Sequence, residues 1–147
     1  MLRQDDWIKA HIVTFAWRQG AEYGGWKSAA MIMSVLANRV KAGWGSWIEV
    51  YQSIPKYAAH PYIETGMPDL WDESFTNLLH EVDTIYAGTQ NYAMSMPPKN
   101  LGYQIPPQAA LYWADTRRIT TPFFKSKIQF NQEHPVIGSM NTLVLYA

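Results

Sequence analysis

The sequence predicts an α+β fold that is mainly helical, with a small antiparallel β element in its C-terminal third. Between residues 5 and 88, apolar residues recur at the spacing of amphipathic helices, and glycine or proline separates the segments. The last third carries paired prolines and two short runs rich in β-forming residues. The 147 residues are 48% hydrophobic, which is enough for one compact core. We therefore expect a single domain over residues 1–147.

Two helices are predicted on either side of a glycine-rich segment. The first covers residues 5–18, begins at a pair of aspartates that can cap it, and is expected to be interrupted by the three glycines of residues 20–25. The second covers Ser28 to Lys41 and ends before Gly43. Because this second segment is small and apolar on most faces, we expect it to be the most buried helix.

Two further helices follow in the sequence. The third is predicted from Ser46 to Ser53, because Pro55 cannot continue it, and the fourth covers residues 72–86, with Gly88 as its stop. The apolar stripe expected to bury the fourth helix consists of Phe75, Leu78, Leu79, Val82 and Ile85.

Two short segments near the C-terminus favour strands. They are residues 109–113 and residues 142–146, both rich in aromatic or β-branched side chains. Since neither can bury its face alone, we expect them to pair as one antiparallel ribbon.

Charge and residue usage exclude several kinds of function. Twelve basic residues balance twelve acidic ones, so the broad positive field that attracts nucleic acids or anionic membranes is missing, and neither is expected as a partner. Without cysteine there is no thiolate metal site, and the four histidines are scattered. Since no phosphate-binding glycine motif occurs either, we expect no metal and no cofactor.

Aromatic content and the apolar pattern bear on assembly and location. The chain has 7 Trp and 9 Tyr at zero net charge, which favours association with other proteins or contact with a ligand. The N-terminus lacks the continuous apolar segment of an export signal, and no stretch reaches the ~18 apolar residues of a membrane span. We therefore expect a protein without an export signal or anchor that works within an oligomeric assembly.

Glu22 is the candidate proton donor. It lies among Tyr23 and Trp26 where the first two helices are expected to meet, and burial beside aromatic rings raises the pKa of a carboxyl group enough for general-acid chemistry. The alternative is that Glu22 precedes the second helix and stabilises its positive end without any chemical role.

Five ordered blocks resemble a known family. The run Ala30–Val40 ends in Asn-Arg-Val, and further blocks follow at Trp47–Ser53, Pro55–Tyr57 and Ala110–Trp113, then at Ile137-Gly138 with Val144–Tyr146. In order and spacing these blocks resemble the cell-wall hydrolase family typified by spore-cortex-lytic enzymes and their phage relatives. The resemblance covers roughly positions 12 to 146.

The resemblance implies a lysozyme-like domain that cleaves peptidoglycan glycan strands, as a muramidase or lytic transglycosylase with a single catalytic Glu. The family places this Glu at the end of the first helix, in a Tyr-Ala-Glu-Ala-Arg-Gly-Glu pattern. Here Gln19 or Trp17 occupies the expected position, and Glu22 falls nearer to the second Glu of the pattern. Because an amide is not a general acid, Glu22 is the remaining candidate for the catalytic residue.

Aromatic and polar residues in the blocks are candidates for substrate binding. Tyr57, Tyr112 and Trp113 offer flat apolar surface for sugar rings and are expected to line one groove, the alternative being that they belong to the core. Asn38 and Arg39, near the end of an apolar helix, are expected to satisfy neighbouring backbone groups.

Two functions are compatible with these features. The first is a phage-encoded, tail-associated enzyme that acts on peptidoglycan, located in the virion or, before assembly, in the host cytoplasm. The second is a catalytically impaired hydrolase-like domain that serves as a structural tail or head-to-tail component, bound to other virion proteins. A stand-alone sugar-binding module would explain the aromatic residues but not the five blocks.

Overall fold

Helices precede a small antiparallel sheet in the computed structural model, which describes residues 4–54, 72–94, 108–118 and 134–147. The mainly helical α+β class expected from the sequence is confirmed. The elements of the described ranges are α1 (Gln4–Gly24), α2 (Trp26–Lys41), α3 (Trp47–Gln52), α4 (Glu73–Ala87), β1 (Tyr112–Asp115), β2 (Val136–Met140) and β3 (Leu143–Tyr146).

Helix α1 continues beyond the expected end at Arg18, so the predicted interruption at Gly20 is wrong. The break comes at Gly25, whose φ of 68° lies in the left-handed region that glycine adopts without strain. Gly20 has a different role, because a Cβ there would lie 2.8 Å from the Cα of Ala29. Its missing side chain lets α1 and α2 approach closely, and the hydroxyl of Ser28 donates to the Gly20 carbonyl.

Helix α2 lies at the centre of the domain, as its composition predicts. Its residues 28–36 are all buried, and α1 and α4 pack against it. The helix starts at Trp26, two residues earlier than expected. The amide of Trp26 donates to the Ser74 hydroxyl at the start of α4, which satisfies one of the amides that the first turn leaves unpaired.

The ends of α3 and α4 follow the local sequence signals. Ser46 caps α3 in a capping box with Glu49, and Asp72 caps α4 by accepting from the amides of Ser74 and Phe75. Gly88, at φ 83°, ends α4 where it was expected.

One member of the expected α4 stripe lies outside the core. Leu79 is 39% exposed, whereas the other four stripe residues are buried. Leu79 directly follows Leu78, and one residue turns the side chain by about 100° around a helix. The buried face is therefore narrower than the sequence stripe indicates.

The C-terminal sheet has three strands in the order β1-β3-β2, all antiparallel. The expected pairing of the two predicted strands is confirmed, with Tyr112 opposite Tyr146, but β1 begins at Tyr112 rather than Ala109. The third strand, β2, was not expected as a separate strand. A two-residue turn with Asn141 at φ 53° joins it to β3.

The two faces of the sheet differ in what covers them. Leu143 and Leu145 of β3 belong to the main core with the helices, whereas Val144 and Tyr146 pack in a smaller cluster on the other face. Among the described helices, none has the apolar length needed to cross a membrane.

Candidate functional site

A cluster of charged and polar side chains joins the end of α1 to the end of β1. The Tyr23 hydroxyl donates to Oδ2 of Asp115 at 2.7 Å, and Arg117 pairs with both carboxylate oxygens of Asp115, at 3.2 Å from Nε and 2.9 Å from Nη2. Nη2 of Arg117 also lies 3.5 Å from Oε2 of Glu22. These four residues, Glu22, Tyr23, Asp115 and Arg117, are called the α1–β1 cluster below.

Asp115 is the electrostatic centre of the α1–β1 cluster, and its side chain is only 7% exposed. Burial alone raises the pKa of Asp115, but hydrogen bonds from Arg117, Tyr23 and Thr142 outweigh burial and hold that pKa well below its usual value. The same hydrogen bond with Asp115 raises the pKa of Arg117. Asp115 is therefore a fixed carboxylate that orients the guanidinium of Arg117.

The β2–β3 turn completes the cluster. The Asn141 side-chain amide donates to the backbone carbonyl of Tyr23, and the Thr116 amide donates to the Thr142 carbonyl at 2.9 Å. Because α1 ends immediately after Tyr23, its last turn has carbonyls without partners inside the helix, and Asn141 satisfies one of them.

Glu22 lies at the surface of the cluster rather than in an apolar pocket. Its side chain is 36% exposed, and its described ion pair is the long contact with Arg117. It belongs to the last turn of α1, so the alternative in which it stabilises the start of α2 does not describe its position. A long exposed ion pair of this kind contributes little to stability.

Trp17 and Gln19, the residues expected at the position of the family's Glu, both lie on α1. Trp17 packs against Phe75 of α4, with ring centroids 5.2 Å apart, and Gln19 is half-buried on α1. Neither Trp17 nor Gln19 has a carboxyl group. The carboxyl group that α1 contributes to the α1–β1 cluster is that of Glu22.

Part of the expected aromatic groove lies outside the described residues, so the groove stays a prediction. Tyr57 lies outside the described residues, and Tyr112 and Trp113 are consecutive on β1, so they lie on opposite faces of the sheet. Trp113 packs toward the main core and contacts Phe15, as the core alternative predicts. Tyr112 packs on the other face and contacts His134 at 4.7 Å. A role of either ring in binding sugar stays a prediction.

Asn38 and Arg39 satisfy backbone groups, as expected. The buried Asn38 amide donates to the carbonyls of Ala93 and Ala110, at 3.1 and 2.9 Å, and Arg39 Nε donates to the Leu111 carbonyl at 2.8 Å. These bonds attach the segment before β1 to the C-terminal end of α2. They thereby fix the position of the sheet on the helices.

Sequence reasoning missed Asp115 and Arg117 as parts of a site, and it expected Tyr23 only as an aromatic neighbour of Glu22. A weak signal for the first two is an aspartate at the end of a β-type run, two residues before an arginine. Within the described ranges, no group of three or more histidine or acidic side chains converges to hold a metal ion. The side chains of the α1–β1 cluster can transfer protons and stabilise charge.

Comparison with family models, with curated proteins and with solved structures finds no match to this chain.

Proposed function

We propose that this chain cleaves the glycan strands of peptidoglycan, as a muramidase or lytic transglycosylase, with Glu22 as the proton donor. The observation that carries the proposal is the position of Glu22, exposed at the end of α1 and 3.5 Å from the guanidinium that Asp115 holds in place. The resemblance to cell-wall hydrolases implies a catalytic Glu at the end of the first helix, and Glu22 is the carboxyl group nearest to that position.

In the proposed reaction, protonated Glu22 donates its proton to the glycosidic oxygen as that bond breaks and an oxocarbenium-like sugar forms. The resulting Glu22 carboxylate then accepts a proton from the attacking hydroxyl, which is water in hydrolysis or a hydroxyl of the same sugar in transglycosylation. Arg117 stabilises the carboxylate that Glu22 becomes, and Asp115 and Tyr23 position Arg117. No second catalytic carboxylate is needed when the sugar's own hydroxyl attacks.

We further propose that the enzyme is phage-encoded and acts as part of a virion tail, where it opens the wall locally. Zero net charge with 7 Trp favours contacts with partner proteins, and the sequence blocks resemble those of phage relatives.

A second candidate function is a structural virion component that keeps the hydrolase-like fold without activity. It is favoured by the surface position of Glu22, which lies beside the guanidinium of Arg117. Gln19 occupies the position where the resemblance places the catalytic Glu, and this also favours the structural function.

Digestion of purified peptidoglycan separates the two functions. The expected result is release of soluble glycan fragments, whose ends, read by mass spectrometry, are reducing sugars after hydrolysis or anhydro sugars after transglycosylation. The Glu22→Gln variant is the control for contaminating hydrolases. Folded wild-type protein that releases no fragments would reject the enzymatic function in favour of the structural one.

A further inference from the structure

Arg39 lies in an aromatic enclosure at the edge of the sheet. Its Cζ atom is 4.8 Å from the ring centroid of Trp44, 5.1 Å from that of Trp113 and 5.7 Å from that of Tyr112. These three rings and the guanidinium are called the Arg39 cluster. It uses no residue of the α1–β1 cluster.

The terminal nitrogens of Arg39 are available to a ligand. An arginine has five N–H donors, and the hydrogen bond to Leu111 uses only the one on Nε. In the described part of the chain, the ion pairs involve Lys9 and Arg117, and no carboxylate pairs with Arg39. Burial lowers the pKa of Arg39, and the electrostatic interaction with Tyr112 partly opposes this shift. The guanidinium nevertheless stays charged at neutral pH. A half-buried charge without a counter-ion is unfavourable, and an anionic ligand would compensate it.

The turn between α2 and α3 places Trp44 on the outside of the cluster. Gly43 at φ 88° and Gly45 at φ 136° reverse the chain, and the Trp44 amide donates to the Arg39 carbonyl at 3.0 Å. The Trp44 ring contacts Tyr112 edge-on and is still 43% exposed. The ring therefore packs against β1 on one side and presents apolar surface to solvent on the other.

We propose that the Arg39 cluster binds a carboxylate carried by a glycan strand. The two terminal nitrogens of a guanidinium match the two oxygens of a carboxylate, and the exposed part of Trp44 offers apolar surface to the sugar ring. The identity of the sugar rests on the proposed function. In peptidoglycan, such a carboxylate belongs either to the lactyl group of N-acetylmuramic acid or to the stem peptide attached to it.

Calorimetric titration of the full chain tests this site. The probe is the peptide-free tetrasaccharide of alternating N-acetylglucosamine and N-acetylmuramic acid, and chitotetraose is its neutral counterpart. The Glu22→Gln background keeps both ligands intact. We expect the acidic tetrasaccharide to bind about tenfold to a hundredfold more tightly, as hydrogen bonds to a charged group imply. Equal affinities would overturn the proposal.

A third titration distinguishes the two sources of the carboxylate. In the tetrasaccharide that carries stem peptides, the lactyl carboxylates are converted to amides and the free carboxylates lie on the peptide. Weaker binding than to the peptide-free form assigns the lactyl group, and equal or tighter binding assigns the peptide. Both results require a preference over chitotetraose.

Substitutions test whether the preference for the acidic tetrasaccharide depends on the Arg39 cluster. Arg39→Lys keeps the charge but loses the paired donors, and we expect it to reduce the preference roughly tenfold. Trp44→Ala removes the most exposed ring of the cluster, and we expect binding to weaken about threefold to thirtyfold. Lys41→Gln, on the same end of α2, and Trp7→Ala, at a ring that is 54% exposed, are the matched controls. Equal losses in the controls would show non-specific attraction and overturn the proposal.

Failure of this site and failure of the proposed enzyme are separable. If wild-type protein cleaves peptidoglycan but shows no carboxylate preference, only the Arg39 inference is wrong. A preference that depends on Arg39 and Trp44, in a protein that cleaves nothing, supports the binding site while rejecting the enzymatic function.

Discussion

The Tyr23 hydroxyl and Asp115 Oδ2 form a 2.7 Å hydrogen bond between residues 92 positions apart in the chain. This bond connects the last turn of α1 to the end of β1, and it leaves Arg117 oriented toward Glu22. The α1–β1 cluster is thus a tertiary feature, and its stability and chemistry can be tested residue by residue.

We expect the Asp115→Asn variant to lose about 1–3 kcal/mol of unfolding free energy at pH 7, because Arg117 loses the carboxylate that it pairs with. The pKa of Asp115 is lower in the folded state than in the unfolded chain. Its contribution is therefore complete above the usual carboxyl pKa of about 3.9 and is lost as pH falls below that value toward the folded pKa. Urea unfolding of both proteins at pH 7 and pH 3 measures this. If wild type and Asp115→Asn differ in unfolding free energy by the same amount at pH 7 and at pH 3, the predicted pH dependence is wrong.

Glu22→Gln is expected to reduce glycan release by about 10²–10⁴-fold if Glu22 is the general acid, since the amide keeps the size but has no acidic proton. The melting temperature should hardly change, because the side chain is exposed and its ion pair is long. Glu73→Gln, in the exposed first turn of α4, is the matched control and should cleave like wild type. A Glu22→Gln variant with wild-type rate would reject the assignment.

Gly20→Ala is expected to destabilise the domain by about 1–3 kcal/mol, because the added Cβ would meet the backbone of Ala29 at 2.8 Å. Backbone atoms cannot move aside as a flexible side chain does, so α1 and α2 must separate. Gly138→Ala is the control, since nothing lies within 4 Å of the added atom. Chemical denaturation of the two variants compares them directly, and equal stability would show that the helix contact tolerates a methyl group.

Asn38→Ala is expected to cost about 2 kcal/mol or more, because it removes the side-chain donor to the Ala110 carbonyl and one of the two donors to the Ala93 carbonyl. Asn91, which donates to Asn38 Oδ1 at 2.7 Å, loses its acceptor as well. Asn38→Asp keeps the shape but turns an acceptor toward these carbonyls, so we expect a loss at least as large. Denaturation midpoints test both variants, and a change below about 0.5 kcal/mol in either would refute the role of Asn38 as a buried connection.

Elements whose signals are local were predictable from the sequence. Ser46 and Glu49 lie three residues apart and form the capping box of α3, and Asp72 and Gly88 begin and end α4 as expected. Helix α2 was identified as the central helix because its composition is apolar on several faces, a property that does not depend on which partner covers it.

Features that depend on contacts between distant residues could not be predicted from local sequence patterns. Gly20 has the same sequence signature as a helix-breaking glycine, and only the approach of Ala29 shows that it is a packing position. Arg39 and Leu111 are 72 positions apart, and their bond depends on the docking of the sheet edge against α2. Periodicity and capping describe neighbours along one element, whereas the two clusters form only where side chains of separate elements meet. Local sequence patterns were therefore enough to predict the α+β class and most helix ends, whereas the surroundings of Glu22 and Arg39 depend on how the separate elements pack.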